Sequence, residues 1–565
     1  MLRIRTRVLR VIATVAAIAV AAAKLSAQAI EYELEPVRGG AVVDLHVRMT
    51  FPADASGQTS LFLPRDRFGV RAIYRYVRDA EVLPPARLLA RDDSTLSIGQ
   101  TPGAPISVRY TVRFDSAQAG FVAFGPSVDS LRYHFLGSQW MARVGAPDSV
   151  RPYTVRMSRG NLGGSLAGSF GLSPGSYSLT TRFSELEWTV VAGGAWREDR
   201  FACSGRPVAT LVAGTFQLSD DSIFRLARAI VCAEREMFGD TLQPFFSATL
   251  MSRQNLRAGA SHINAFSAFM RPDSRSGQVA LLLAHEVAHD WLPRRLRLVP
   301  GPDEPPPVEF SSFHDVRYDW FHEGFTEYLA RRVLVRAGLV TEEWFAERLN
   351  DDLRILATHP YRALPAHGLE AAVRARTYTN LHQRISYHRG TLLAFNWDAA
   401  VRRASGGRAD LFDVIRRLLA EASSSNGRIP RPRFEQVVSS FGVPAAADVA
   451  RHALGGEPMP VDSTGLGPEW VLRSRAVPLA DAGFDVPAST VGRRALGVDP
   501  RGSAYAAGLR EGMTIVRVEN SPGSNPDAPP DAPMTVVVRE GDAERAITII
   551  PRVAQVSEFH FERRQ

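Results

Sequence analysis

Lysine is almost absent: Lys24 is the only one in 565 residues, so beyond the N-terminus the chain is basic through arginine alone. No aromatic-interleaved basic patch accompanies those arginines, which excludes the usual nucleic-acid partner. A long apolar run is also lacking. The N-terminal one, VIATVAAIAVAAA at residues 11–23, falls short of the ~20 residues a membrane-spanning helix needs. Cysteine is limited to Cys203 and Cys232, neither with an evident base nearby, which excludes a cysteine nucleophile.

What is present at the N-terminus has the form of an export signal. MLRIRTRVLR is basic, the apolar run follows, and Ala27-Gln28-Ala29 supplies small residues for cleavage. A retained anchor is the competing reading. Cleavage would remove Arg3, Arg5, Arg7, Arg10 and Lys24 and no acid, taking the formal charge from +8 to +3. The expected location is the periplasm or the extracellular space, with no stable membrane anchor. An oxidising compartment permits a Cys203–Cys232 disulfide; two separate buried thiols are the alternative.

With 45% hydrophobic residues the chain is globular and too long for one core. From Ile30 to about residue 205 the pattern has period two: Val43, Leu45, Val47, Met49 and Phe51 alternate with polar neighbours, as do Ile106, Val108, Tyr110, Val112 and Phe114. Glycine and proline clusters punctuate the runs, so a β-sandwich-like domain is expected. At SDDSIFRLARAIVCAEREMFG the period turns helical, with Ile223, Leu226, Ile230, Ala233 and Met237 on one face, Ser219 as N-cap and Gly239 as terminator. A second helix is expected from about Gly277 to Leu292, and mostly helical structure from Glu342 to about Leu454. Past residue 462 composition shifts to glycine and short β-runs. The expected order is a signal (1–29), a β-rich domain (30–205), a catalytic domain (206–462) and a C-terminal module (463–565), a multidomain α+β chain.

AHEVAHDW places His285 and His289 four apart, one above the other on a helix, able to share one metal. Glu286 beside the first histidine completes HExxH, in which the glutamate is general base for metal-assisted hydrolysis. A catalytic zinc site has three protein ligands and one open position. Downstream, WFHEGFTEYLA offers His322, Glu323 and Glu327, and spacing alone does not choose among them.

HEVAHDW followed by WFHEGFTEYLARR resembles the gluzincin metallopeptidases, and within them the glycyl aminopeptidase family. That resemblance implies a thermolysin-like catalytic domain with a helical C-terminal lobe, one Zn2+ per chain, and Glu323 as third ligand. Glu327, one turn on, would orient a ligand or cap an arginine, and His322 would be no ligand. SYHRGTLLAFNWDAAVRRASGG is similar to the family's YxKG segment, aligning Tyr387 with its catalytic tyrosine and replacing lysine by Arg389. The phenol would stabilise the oxyanion formed on a peptide carbonyl. His382 and His388 receive no role.

The resemblance fails at one place. Aminopeptidases of this clan carry a glutamate on an edge strand before the zinc helix, and RAGASHINAFSAFM has no acid. Ser261, His262 and Asn264 stand there, able to bind a peptide backbone but not to neutralise an ammonium. A peptidase is therefore expected, with exo- or endopeptidase action open. GSAYAAGLREGMTIVRVENSP resembles the PDZ pattern, making residues 463–565 a PDZ domain that either binds a C-terminal peptide or is purely structural. The competing reading of the whole chain is an exported peptide-binding or scaffold protein with a vestigial peptidase fold.

Overall fold

The computed structural model describes residues 29–67, 70–115, 125–145, 148–240, 242–254, 256–306, 308–311, 314–359, 361–376, 378, 380–520 and 528–564. The expected export signal therefore lies outside the described residues, save Ala29. The chain groups into two compact units, residues 1–236 with 240–290, and residues 237–239 with 291–565. No described helix is long and apolar enough to cross a membrane.

The first unit opens with the alternating strands. All ten apolar residues named above for period two are buried, because successive side chains on a strand point to opposite faces. They build a six-stranded sheet in the order Gly175–Thr181, Arg151–Met157, Ile30–Arg38, Val43–Pro52, Pro105–Val112, Val77–Leu83. Only the 30–38 and 151–157 pair is parallel. Two four-stranded sheets accompany it. Turns rich in glycine and proline cut the chain into short strands, so the β-rich region has three sheets where a plain sandwich has two. One core joins them, centred on Phe51, Phe114, Phe135 and Trp140.

The unit continues as a five-stranded sheet of β1 (Arg197–Cys203), β2 (Arg206–Ala213), β3 (Phe246–Ser252), β4 (Ala258–His262) and β5 (Ala265–Met270), in the order β1-β2-β3-β5-β4. β2, β3 and β5 run parallel, and β4 returns antiparallel as the last strand. Two helices belong here, α1 (Asp220–Met237) and α2 (Ser276–Ala288). Ser219 caps α1 as expected, its Oγ accepting the Ser222 N–H at 3.2 Å, and Gly239 at φ +64° ends the helix. The buried face of α1 is rotated slightly from the expected one: Ala233 and Met237 are only half-buried, and Glu234 lies inside. Cys203 and Cys232 form a disulfide that ties β1 to α1.

The second unit is helical first. A wide π-type turn, Trp320–Phe325, runs into α3 (Thr326–Arg336), followed by α4 (Glu342–Thr358), a short helix at Ala366–Arg374, and the long α5 (Asn380–Ser405). Further helices at Leu411–Ser423 and Arg431–Ser439 follow, with the short strand Arg428–Pro430 between them. The C-terminal part pairs the long strands Trp470–Asp481 and Arg552–Arg563 and adds a three-stranded sheet, Thr514–Glu519, Met534–Glu540 and Ala543–Ile549. It has its own small core of Leu509, Ile515, Val536 and Ile547. It is also fixed to the helices, since Asn350 on α4 exchanges two hydrogen bonds with the Phe561 backbone, at 3.0 and 2.7 Å. The Tyr361 hydroxyl donates to Asp485 Oδ1 at 3.2 Å.

Candidate metal centre

α2 is apolar along much of its length, and Val279, Leu283 and Val287 bury it, so its last turn carries polar groups inward. The helix ends at Ala288, yet His289 keeps helical angles (φ −63°, ψ −14°), and its N–H reaches His285 O at 3.3 Å. The four-residue spacing is thereby preserved. The two Nε2 atoms face each other at 3.0 Å with the rings at 88°.

The third residue comes from the π-type turn. There Phe321 and His322 both donate their N–H groups to Tyr318 O, at 2.9 and 3.0 Å, and Thr326 Oγ1 bonds His322 O at 2.6 Å. A widened turn re-aims its side chains relative to a regular helix. His285, His289 and Glu323, all buried, each offer one ligand atom, and those atoms lie within 4.8 Å of one another. Ligands at ~2.0–2.1 Å on a tetrahedral zinc sit roughly 3.3 Å apart. Two imidazoles and a carboxylate form a donor set that zinc accepts, and no fourth such residue joins them among the described residues. The triad fits one Zn2+ and leaves a position open.

Of the other candidates on that turn and helix, His322 Nε2 accepts the Leu298 N–H at 3.1 Å. Glu327 takes the arginine-capping alternative, accepting from Arg331 Nη2 at 2.9 Å. Arg331 bridges on to Asp352, whose Oδ1 meets His388 Nδ1 at 2.7 Å. This buried chain ties α3, α4 and α5 together. Tyr387, half-buried, is the neighbour of His388, and its carbonyl lies against Gly324. Arg389, in the position of the family's lysine, spends its guanidinium on the carbonyls of Leu364, Arg362 and Tyr361.

Glu286 lies 6% exposed on α2, and β4 passes directly over it: a Cβ added to Gly259 would overlap its carboxylate. The three residues read as substrate-binding differ in their surroundings. His262 is fully buried, with Nδ1 2.5 Å from Trp188 O and Nε2 3.0 Å from Ser267 Oγ. Asn264, at φ +52°, donates to Tyr177 Oη at 3.1 Å. Ser261 alone of the three is partly exposed.

Three residues escaped the sequence reading. Gly259 carries no chemical signal, since its role is the side chain it lacks. Glu234 sits on α1 fully buried, with no hydrogen-bond partner for either oxygen among the described residues. Burial raises its carboxyl well above the usual range, and the nearby Asp290 adds to this while His285 opposes it. Its position four residues after Ile230, on an apolar stripe, was the available clue. The phenol of Tyr378 is also raised, first by burial and then by the charges of Asp319 and Glu323.

A buried His-His-Glu triad, with a glutamate next to the first histidine and the last strand of a mixed sheet running over that glutamate, defines a metallopeptidase-type centre. The family-model comparison agrees in class. Residues 278–392 match the family model of the M61 glycyl aminopeptidase, a span that holds both histidines, Glu286, Glu323 and Tyr387. An aminopeptidase N family protein from Idiomarina loihiensis shares the fold, with a TM-score of 0.66 and 15% identity over 95% of this chain and 98% of that one. An M1 zinc metallopeptidase from Deinococcus radiodurans aligns at TM-score 0.45 and 15% identity, over 77% of this chain and 95% of its own. Yeast LTA4 hydrolase aligns at TM-score 0.45 and 12% identity, over 77% of this chain and 68% of its own. No curated protein matches the chain.

Proposed function

We propose that the protein is an exported zinc peptidase of the gluzincin type that hydrolyses peptide bonds with Glu286 as general base. The observation that carries this reading is the buried donor set of His285, His289 and Glu323, with the Glu286 carboxylate under the edge strand. Zinc, when bound, supplies Lewis acidity toward a water and a carbonyl oxygen. Glu286 takes the proton of the attacking water and later gives it to the leaving amine. Tyr387, held by its helix against the Glu323 turn, donates its phenol proton in a hydrogen bond to the developing oxyanion. A vestigial site would have lost a ligand or the base, and none is lost here.

Of the three residues proposed to hold substrate, Ser261 retains that role. His262 and Asn264 act from behind by fixing β4. Residues 30–205, 206–462 and 463–565 are read as β-rich, catalytic and PDZ domains behind a cleaved signal. The Asn350–Phe561 and Tyr361–Asp485 contacts favour a structural PDZ over a peptide-capturing one. Hydrolysis of a mixed peptide library by the purified protein, abolished by a chelator and restored by Zn2+, is the expected result. Cleavage that persists after complete metal removal would end the reading.

A further inference from the structure

The β-rich region contains a cavity of about 300 Å3 whose lining includes Phe62, Arg65, Arg67, Ser138, Arg143 and Glu187. Its charges are unevenly spent. Arg67 is neutralised by Glu187 at 3.0 Å, and Asp148, also at the wall, accepts the Ser184 hydroxyl at 2.6 Å. Arg65 and Arg143 lie over the Phe62 ring, at 5.1 and 5.0 Å from its centroid. Arg143 is held there because it pairs directly across from Phe62 in a sheet ladder. Neither arginine has a carboxylate within 4 Å among the described residues; Arg65 donates only to Thr95 Oγ1, at 3.1 Å.

The cavity also holds an independent sign of a missing acceptor or donor. Ser138 is 4% exposed, and its hydroxyl has no hydrogen-bond partner among the described residues. A buried polar group left so costs stability unless something else satisfies it. Two guanidiniums close to one aromatic ring and one hydroxyl form a donor set for an oxyanion, best a planar carboxylate, which arginine meets with two parallel bonds.

A chain of contacts within the first unit connects the wall of this cavity to Glu286. Ser138 N–H bonds Glu187 O at 3.1 Å, and the next residue, Trp188, meets His262 Nδ1 through its carbonyl at 2.5 Å. His262 ends β4, and Gly259, three residues earlier on that strand, is the residue that lies on Glu286. The three residues from Gly259 to His262 span ~10 Å, and the links through Trp188 and Glu187 add to that distance.

We propose that this cavity is a binding site for a substrate carboxylate, either an Asp or Glu side chain or a free C-terminus, lying well away from the bond that is cut. Arg65, Arg143 and Ser138 donate to it. The assignment rests on the peptidase reading and adds a preference to it.

The test uses the full-length, zinc-loaded protein and peptides of one parent sequence blocked at both ends, with Glu or Gln placed at each position in turn. A parallel pair ends in a free carboxylate or an amide. One position, or the free terminus, is expected to raise kcat/KM on the order of tenfold over its neutral twin. Arg143→Met should abolish that ratio, and Arg143→Lys should keep part of it. Direct titration of the wild-type protein with N-acetylglutamate α-amide and its neutral twin N-acetylglutamine α-amide, which differ by a single carboxylate, separates the site from the fate of any variant. Binding of the first alone supports the proposal. Zinc-dependent hydrolysis with equal rates for every charged and neutral pair would overturn the subsite while leaving the peptidase intact. Absence of all hydrolysis would remove the peptidase reading and the subsite with it, even if N-acetylglutamate α-amide binds.

Discussion

Gly324 and Gly390 meet backbone to backbone. With no side chain on either, the turn bearing Glu323 and the helix bearing Tyr387 approach until a Cβ at 390 would fall on the Trp320 carbonyl oxygen. Helix propensity alone predicts that alanine at 390 stabilises α5 by up to ~1 kcal/mol. Overpacking of ~1–3 kcal/mol opposes it and wins where the obstructing atom is backbone. Gly390→Ala is therefore expected to lower the urea midpoint and to weaken zinc binding, because the Glu323 turn must retreat. An unchanged midpoint would mean that the two segments have room to separate.

The assignment of Glu286 separates chemistry from metal binding. Glu286→Gln is expected to retain one zinc per chain after dialysis and to lose peptide hydrolysis by a factor of ~10²–10⁴. Glu323→Ala should lose the metal under the same dialysis. Full activity in the Glu286→Gln protein would show that another base serves.

The contact between Gly259 and Glu286 can be isolated by a double-mutant cycle. Gly259 does not need a left-handed backbone, so the penalty for alanine is the overlap with the carboxylate alone. Gly259→Ala should destabilise the native protein and reduce its activity, yet cost much less in a Glu286→Ala background. A coupling of ~1 kcal/mol or more is the expected result; additive effects would show that β4 and α2 do not touch there.

Two members of the triad were legible because metal chemistry restricts residue type and spacing together, setting His285 and His289 four apart on one helical turn, whereas Glu323 could be chosen only through the family resemblance. The strands were legible from Val43 to Phe51 and Ile106 to Phe114, because one face of each is buried and the other wet. What stayed hidden has a common cause. Gly259, Gly390 and the rotation of α1 that buries Glu234 depend on close approach between segments far apart in sequence. No local pattern records that approach. His262 illustrates the converse: its residue type suggested substrate binding, and the fold buries it between the Trp188 carbonyl and the Ser267 hydroxyl, surroundings that no local pattern records.

Two buried histidines set an acid limit on stability. Burial lowers the imidazole of His134 to about 3 and, with the charges of His388 and Arg389 adding to burial, that of His359 to about 4. Both folded values lie below the unfolded value of ~6.5, so the unfolded chain binds more protons on acidification. Their contribution is complete above about pH 6.5 and is lost as pH falls toward the folded values. Between pH 7 and 5.5 each should cost about 1 kcal/mol. Urea unfolding of the metal-free protein at these two pH values measures the loss, and His134→Gln, which can still meet Ser267 Oγ, should reduce it by about half. An equal loss in the variant would place the proton uptake elsewhere.

Under the peptidase reading proposed above, the missing acid on β4 predicts how peptide ends are treated. Residues 258–262 present backbone and Ser261 along the last strand of the sheet, with no carboxylate to neutralise an amino terminus. An ammonium brought there without a counter-charge would be desolvated at a cost of several kcal/mol, whereas an acetylated end would lose only a neutral hydrogen bond. N-acetylated peptides are therefore expected to be cleaved at least as fast as their free counterparts, judged by kcat/KM at pH 7 where the free amine is charged. A strong preference for free ends would require an acid from outside β4. Among the buried acids near the centre, Asp319 would then be the first to replace, with Asp319→Asn expected to erase the preference while leaving cleavage of blocked peptides measurable.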